Sequence, residues 1–563
     1  MRKLDKKEIL IIILLSGIIT LGISNVMLFL NYPQPAPQRD LSTLVIATSS
    51  GPDTLELTDA WDSASYQILD QVVETLFSHD LRDPELPRIN LLAESYHWEN
   101  ATILHIKLRE AVLFHDYTPF NATAAKWNLD RLQYNINATG TNTGEVAHTQ
   151  PLWMRPDGIT PIINNTVVNG IYNITITLNG PYGPLLNLLS YINAGMISPT
   201  SHAEDETSFI NLITGNIVGT GPFIFNHFIP DVEVNLTRWI GYRNHISYFK
   251  TIIFKIYDDA VAARNDIIKN QVDVNMMAYY QDFAQYEENP GITVYRFTHD
   301  TGIPSLVYRY LSFNNKNLNV TWRKAISYAI NYTYIIENIS QYDARKASSP
   351  ISPGFGLSYN SSVKGSSYNL TIAREAMISM GFGNMGWSDT QWIATAEGSS
   401  PFRDVGYFSG PFSTNFREAL GLALFEWLKL IGVYIYEADL CHPMDPFCFS
   451  FDLEKLDLYT FGWAPDYLSP FSMLDPLFKP DSRLNIALVN DTKLNAMLEL
   501  VLENTNDVAR NELYKDIQGY IADVGYFHAP LYHSNIYYVH SADLRGVPYN
   551  SMVKFQAYGM WRE

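Results

Sequence analysis

Only two cysteines occur in the 563 residues, and they are the first candidates for chemistry. Cys441 and Cys448 enclose His442-Pro443-Met444-Asp445-Pro446-Phe447. In an oxidising compartment a local disulfide is the natural reading. Cys441, His442, Asp445 and Cys448 also have metal-binding chemistry, but their spacing matches no standard zinc pattern, and two free thiols complete the alternatives. Other catalytic patterns are missing: there is no His-Glu-x-x-His, no Gly-x-Ser-x-Gly and no phosphate loop. Gly381-Phe382-Gly383-Asn384-Met385-Gly386 spells a dinucleotide fingerprint. It follows an expected helix, Leu370 to Met380, whereas the fingerprint must follow a strand, so Gly381 reads as a helix stop. Asp452, Glu454, Asp457 and Asp466 could supply paired carboxylates for glycoside hydrolysis, yet nothing places two of them at the required separation. Catalysis is unsupported, and neither a cofactor nor a resident metal is expected.

The elements around these residues alternate between short strands and helices with no fixed repeat, which predicts a mixed α/β fold. Leu44 to Ala47 and Thr102 to Leu108 read as strands. Thr166 to Leu178 reads as a hairpin whose turn is Asn169-Gly170. Ser65 to Phe77 carries Ile68, Leu69, Val72, Val73 and Leu76 on one side and predicts a helix. Three more helices are expected: one capped by Thr321, one from Asn415 to Leu430 stopping at Gly432, and one starting at Asp491. With 47% hydrophobic and 17% charged residues the chain can bury a large core. Its net charge of -19 repels phosphate backbones and argues against a nucleic-acid partner. Aromatic residues make up 13% of the chain, which hints at a binding surface.

From Ile9 to Leu30 no residue is charged, while Arg2, Lys3, Lys6 and Lys7 precede that stretch. This predicts an uncleaved transmembrane anchor with a cytoplasmic tail at 1–8 and everything after residue 31 exported. The expected location is the cell membrane, single-pass, with the main domain extracellular. Tyr32-Pro33-Gln34-Pro35-Ala36-Pro37-Gln38 lies in a stiff linker, residues 31–40. About twelve Asn-x-Ser/Thr triplets, among them those at Asn100, Asn164, Asn319 and Asn490, agree with a glycosylated exterior.

Several segments, in order, resemble one family. Thr54-Leu55-Glu56 is followed by Ser65-Tyr66-Gln67 and Glu74-Thr75-Leu76, then Leu108-Arg109-Glu110-Ala111-Val112-Leu113-Phe114-His115-Asp116. Gly219-Thr220-Gly221-Pro222-Phe223, Leu311-Ser312-Phe313-Asn314-Asn315 and Arg323-Lys324-Ala325-Ile326 continue the series. Together they are similar to extracellular solute-binding proteins of ABC importers in the dipeptide, oligopeptide and nickel-binding branch, family 5, over about residues 41 to 548. Three positions depart from the family pattern: Glu56-Leu57 replaces Asp-Pro, Tyr117 replaces a Gly, and Thr321 replaces an Asp.

The resemblance implies a two-lobed α/β fold of the periplasmic-binding-protein type (type II), with an extra subdomain in lobe one. Lobe one would take 41–85, 215–300 and 485–548, the inserted subdomain 86–214, lobe two 301–484, and 549–563 would be a tail. It also implies function. In peptide-binding relatives the Asp of a Gly-Trp-x-x-Asp-Tyr segment pairs with the peptide's α-ammonium; here the segment is Gly462-Trp463-Ala464-Pro465-Asp466-Tyr467. Such an ammonium, removed from water, needs a fixed carboxylate, and Trp463 offers a flat face for a side chain or a sugar ring. Trp61 and Asp62 fall where relatives reach the cleft from lobe one, and Asn314 and Asn315 sit near the crossing into lobe two. The implied role is capture of a peptide, or alternatively an oligosaccharide, between hinged lobes for delivery to an ABC permease with its ATPase subunits. An exported hydrolase or a sensory ectodomain on the same fold is a further alternative.

Overall fold

The computed structural model describes residues 40–202, 208–408, 415–437, 456–480, 482 and 484–563. The apolar segment 9–30, the linker up to residue 39, and both cysteines lie outside the described residues. Among the described residues no helix is long and apolar enough to cross a membrane.

Among the described residues three larger sheets organise the fold, beside two of two strands each. The largest has seven strands in the order Ile292–Tyr295, Tyr538–Ser541, Val274–Asn275, Thr43–Thr48, Thr251–Ile256, Glu233–Arg238 and Phe223–Ile229. A six-stranded sheet runs Ala344–Lys346, His528–Ser534, Tyr308–Phe313, Leu458–Trp463, Arg403–Phe408 and Val433–Glu437. Both mix parallel and antiparallel pairs. The third sheet is the antiparallel Ala93–Asn100, Ile103–Leu108, Asn173–Leu178 and Ile163–Gly170. Its register follows period-two burial: Leu104 faces Ile176 and Ile106 faces Ile174, and all four are buried. Each such side chain contributes about 1.5–3 kcal/mol of transfer free energy.

The chain passes from the seven-stranded to the six-stranded sheet through residues 296–307 and returns through 535–537. These passages are tied together, because the Ile536 amide donates to Thr298 Oγ1 at 2.8 Å. His528–Ser534 pairs with Tyr308–Phe313 in the six-stranded sheet, whereas the sequence boundaries grouped it in 485–548 with the strands on either side of Thr251–Ile256.

Other expectations are corrected by local geometry. The helix foreseen from Ser65 to Phe77 spans Ser63–Val72, since Val73 is extended and Glu74 bridges Met196. The hairpin turn is Ile171-Tyr172, because Gly170 still pairs with Asn173. Neither Asn169 nor Gly170 takes the positive φ that a type I′ turn needs. The helix Val320–Ala329 is capped by Asn319, whose side chain accepts from the amides of Thr321 and Trp322. Asn319→Ala should cost about 1 kcal/mol in chemical denaturation, and Thr321→Ala should cost less than half of that. As expected, Gly381 and Gly432 stop their helices, at φ of 92° and 74°, and Asp491 caps Thr492–Glu503.

Residues 549–563 are no tail. Phe555, Ala557 and Met560 are buried, and Trp561–Arg562 pairs with Leu544–Arg545. Arg562 forms a buried ion pair with Asp273, which directly precedes the strand Val274–Asn275 and accepts from the Val45 amide. A carboxylate removed from water requires such a cation, which draws the last residues inward.

Candidate ligand-binding site

Two of the segments that carried the family resemblance meet in space. The His115 amide donates to the Gly219 carbonyl, and His115 Nε2 lies 2.9 Å from the Gly221 carbonyl. A Cβ on Gly219 or Gly221 would strike the backbone of Val72, so these positions bring the turn against the end of the first helix. Tyr117, where relatives carry Gly, sits at φ 64°, a left-handed conformation that costs a residue with a Cβ about 1–2 kcal/mol.

The first helix, Ser63–Val72, buries Ala64, Ser65, Ile68, Leu69 and Val72 and turns Tyr66, Gln67 and Asp70 to the other side. That side lines a cavity of about 540 Å³. Opposite stands Trp463 to Leu468, at the end of the six-stranded sheet. Ser190 to Ile192 and Met552 to Lys554 complete the wall. A second cavity of about 450 Å³ shares Trp61, Asp466, Tyr467 and Leu484 with the first.

A hydrogen bond spans the point where the cavities meet: Trp61 Nε1 donates to Asp466 Oδ1 at 2.6 Å, across 405 positions of sequence. Asp466 is held from behind, since its amide donates to Ser472 Oγ at 3.1 Å. Trp463 is fixed to the same residue, in the helix Phe471–Phe478, by its Nε1 donating to the Ser472 carbonyl at 2.9 Å. The other carboxylate oxygen, Asp466 Oδ2, is buried and has no hydrogen-bond partner among the described residues. Burial pushes the Asp466 carboxyl up to about 6, against the Trp61 bond, which lowers it. The Tyr66 hydroxyl is likewise buried and unpartnered among the described residues, and burial together with the Asp466 charge pushes its pKa far up. A buried carboxylate oxygen with no donor costs free energy until one arrives. The arrangement is chemically ready for a hydrogen-bond donor, above all a cationic one.

Of the residues named from sequence, Trp61, Trp463, Asp466 and Tyr467 come together here. Tyr467 is buried, its hydroxyl 3.2 Å from that of Tyr182, so it supports the wall. Asp62 caps the first helix by accepting from the Ser65 amide and lies beside the cavity. Asn314 and Asn315 do not line it. Asn314 Nδ2 donates to the Leu456 carbonyl, and Asn315 Nδ2 to the carbonyls of Phe313, Ala487 and Phe527. They close the far end of Tyr308–Phe313, six residues from the passage between sheets. Tyr66 and Met552 to Lys554 were missed. The helix showed Tyr66, Gln67 and Asp70 as its polar side, a readable signal; the C-terminal segment showed none. Among the described residues no group of three metal-ligating side chains gathers.

Comparison with known proteins decides the lineage: the family model "Bacterial extracellular solute-binding proteins, family 5 Middle" matches residues 89–485. The chain belongs to this family. It is a solute-binding protein and not an enzyme. This family 5 protein is 26% identical over 498 residues to the glutathione-binding protein GsiB of Pectobacterium atrosepticum, spanning 84% of this chain and 85% of that one. Its fold is similar to HbpA2 of Haemophilus parasuis, with a TM-score of 0.77, 20% identity, and 92% and 100% of the two chains covered. It also resembles the periplasmic binding protein DppA of Helicobacter pylori, solved in complex with the peptide STSA, with a TM-score of 0.70, 19% identity, and 92% and 98% covered.

Proposed function

We propose that this family 5 protein captures peptides between two hinged lobes and passes them to an ABC permease with its ATPase subunits. The observation that carries the reading is Asp466: a carboxylate bonded across the cavity by Trp61, with a second oxygen that lacks a donor. A peptide α-ammonium supplies that donor. Contacts from both sides favour the closed form when ligand is present, and closure is the signal a permease can recognise. GsiB is named for glutathione, and DppA was solved with a peptide; both support a peptide-type ligand here. In this reading lobe one is built on the seven-stranded sheet, lobe two on the six-stranded sheet and the inserted subdomain on the four-stranded sheet. The uncharged segment 9–30 anchors the protein with its lobes outside the cell. The sequon asparagines support a glycosylated exterior, since each is half-buried or exposed and none is buried.

The test is native mass spectrometry of the full chain purified from its membrane. Co-purified masses that fragment as peptides support the reading; saccharide masses would transfer it to sugar capture, with Trp463 as a stacking platform.

A further inference from the structure

The second cavity has its own chemistry. Its wall carries Asp475, Lys479 and Arg155 besides the shared Asp466. Lys479 is already committed, 3.0 Å from Glu499 and 4.0 Å from Asp475. Arg155 is different. Among the described residues no carboxylate lies within ion-pair distance of it, and its one side-chain bond is from Nη1 to the Pro181 carbonyl at 3.0 Å. Asp157, the nearby acid, spends its Oδ1 on the amides of Ile159 and Thr160.

The Arg155 guanidinium is nevertheless held in place. It lies flat over Gly180, where an added Cβ would come within 2.8 Å of its Cζ and Nη1. Its backbone is clamped, with the Arg155 amide donating to the Thr160 carbonyl and the Gly158 amide donating to Arg155. An alanine at position 180 would push the guanidinium aside from that placement. A fixed, partly desolvated guanidinium with free N–H groups on a cavity wall matches a carboxylate, which it can grip in two places.

Resting on the peptide reading of Asp466, we propose that Arg155 binds a carboxylate of the ligand in this second cavity. The preferred ligand is then a short peptide with a free amino terminus at Asp466 and an anionic group on the Arg155 side of the Trp61–Asp466 bond. That group is the C-terminal carboxylate or an acidic side chain; the chemistry is shared.

The experiment presents the full chain with mixed tri- and tetrapeptide libraries and identifies captured peptides by mass spectrometry. One library has free termini, one is C-terminally amidated, and one is N-acetylated. The wild type should capture anionic peptides at least tenfold over amides lacking an acidic residue. Amides that do carry Asp or Glu, if captured equally well, assign the group to a side chain; if rejected, to the C-terminus. Arg155→Met should remove the preference, bringing capture of anionic peptides down to the level of neutral amides. Gly180→Ala, which keeps the charge but displaces it, should weaken the preference in the same direction, and thermal melting confirms that both variants fold. Equal wild-type capture of free-acid peptides and of amides lacking an acidic residue overturns the proposal, as does a preference that survives Arg155→Met. Equal capture of N-acetylated peptides overturns the Asp466 reading instead and leaves the Arg155 result to stand separately. Capture of no library overturns both.

Discussion

Arg131→Met is expected to lower the unfolding free energy by about 3–5 kcal/mol, the cost of leaving one member of a buried ion pair alone. Glu56 is fully buried and Arg131 nearly so, and they meet through two bonds of 2.7 and 2.6 Å. Thr58 gives the same carboxylate its amide and its hydroxyl, and the Ile210 amide adds a further bond. The pair joins the loop before the first helix to the helix Ala122–Asn135, so it fastens the segment around the four-stranded sheet to the core. Burial raises the Glu56 carboxyl, but the bonds and charge of Arg131, with Thr58, outweigh it and hold the group below the usual carboxylate range. A carboxylate depressed by folding contributes stability that is present above its unfolded value of about 4.3 and is lost as pH falls through the folded value. Urea denaturation followed by tryptophan fluorescence should therefore show the Arg131→Met deficit at neutral pH and its shrinkage in acid. The double variant Glu56→Leu/Arg131→Met should lose less than Arg131→Met alone, because no charge is stranded. A neutral-pH deficit below about 1 kcal/mol would show that the pair is not what fastens these elements.

The same pair explains one departure from the family pattern and shows what a sequence can reveal. Glu56 in place of Asp was legible as a difference, but its partner stands 75 positions away, and no local pattern announces it. Strands such as Ile103–Leu108 were readable because burial alternates residue by residue. Helix ends at Gly381 and Gly432 were readable because a left-handed backbone favours glycine. Asn319 and Thr321 are both capping types two positions apart, so only the direction of the backbone at Asn319 selects between them. The C-terminal segment illustrates the opposite limit. Arg562 looks like a surface residue until Asp273, 289 positions earlier, is found buried beneath it. At the site, Trp61 and Asp466 could each be singled out from the family segments, whereas the bond between them is a product of tertiary structure. Asn314 and Asn315 misled for a related reason: polar residues retained at a strand end can serve the backbone there, as theirs do.

Asp466→Asn should move affinity and stability in opposite directions, which separates a binding role from a structural one. Asn keeps the shape and can still accept from Trp61, but it removes the charge opposite a ligand ammonium. Removing one side of a desolvated charge pair costs about 2–5 kcal/mol, which is a 30-fold to several-thousand-fold rise in Kd, readable by calorimetry with a captured peptide. The ammonium binds only the ionised carboxylate, and Asp466 ionises at about 6. Wild-type affinity should accordingly weaken by about tenfold for each pH unit below 6, while the Asn variant stays flat over that range. The ligand-free fold behaves the other way. A carboxyl whose folded pKa is raised contributes stability that is whole below its unfolded value near 3.9 and is lost as pH rises through about 6. Ionised Asp466 is thus a burden at neutral pH, and Asp466→Asn should stabilise the ligand-free protein there by about 1–3 kcal/mol, a gain that disappears in acid. Unchanged peptide affinity in the Asn variant across this pH range would reject ammonium pairing, whatever happens to stability. Weaker binding with reduced stability would make Asp466 a strut between the two sides rather than a ligand contact.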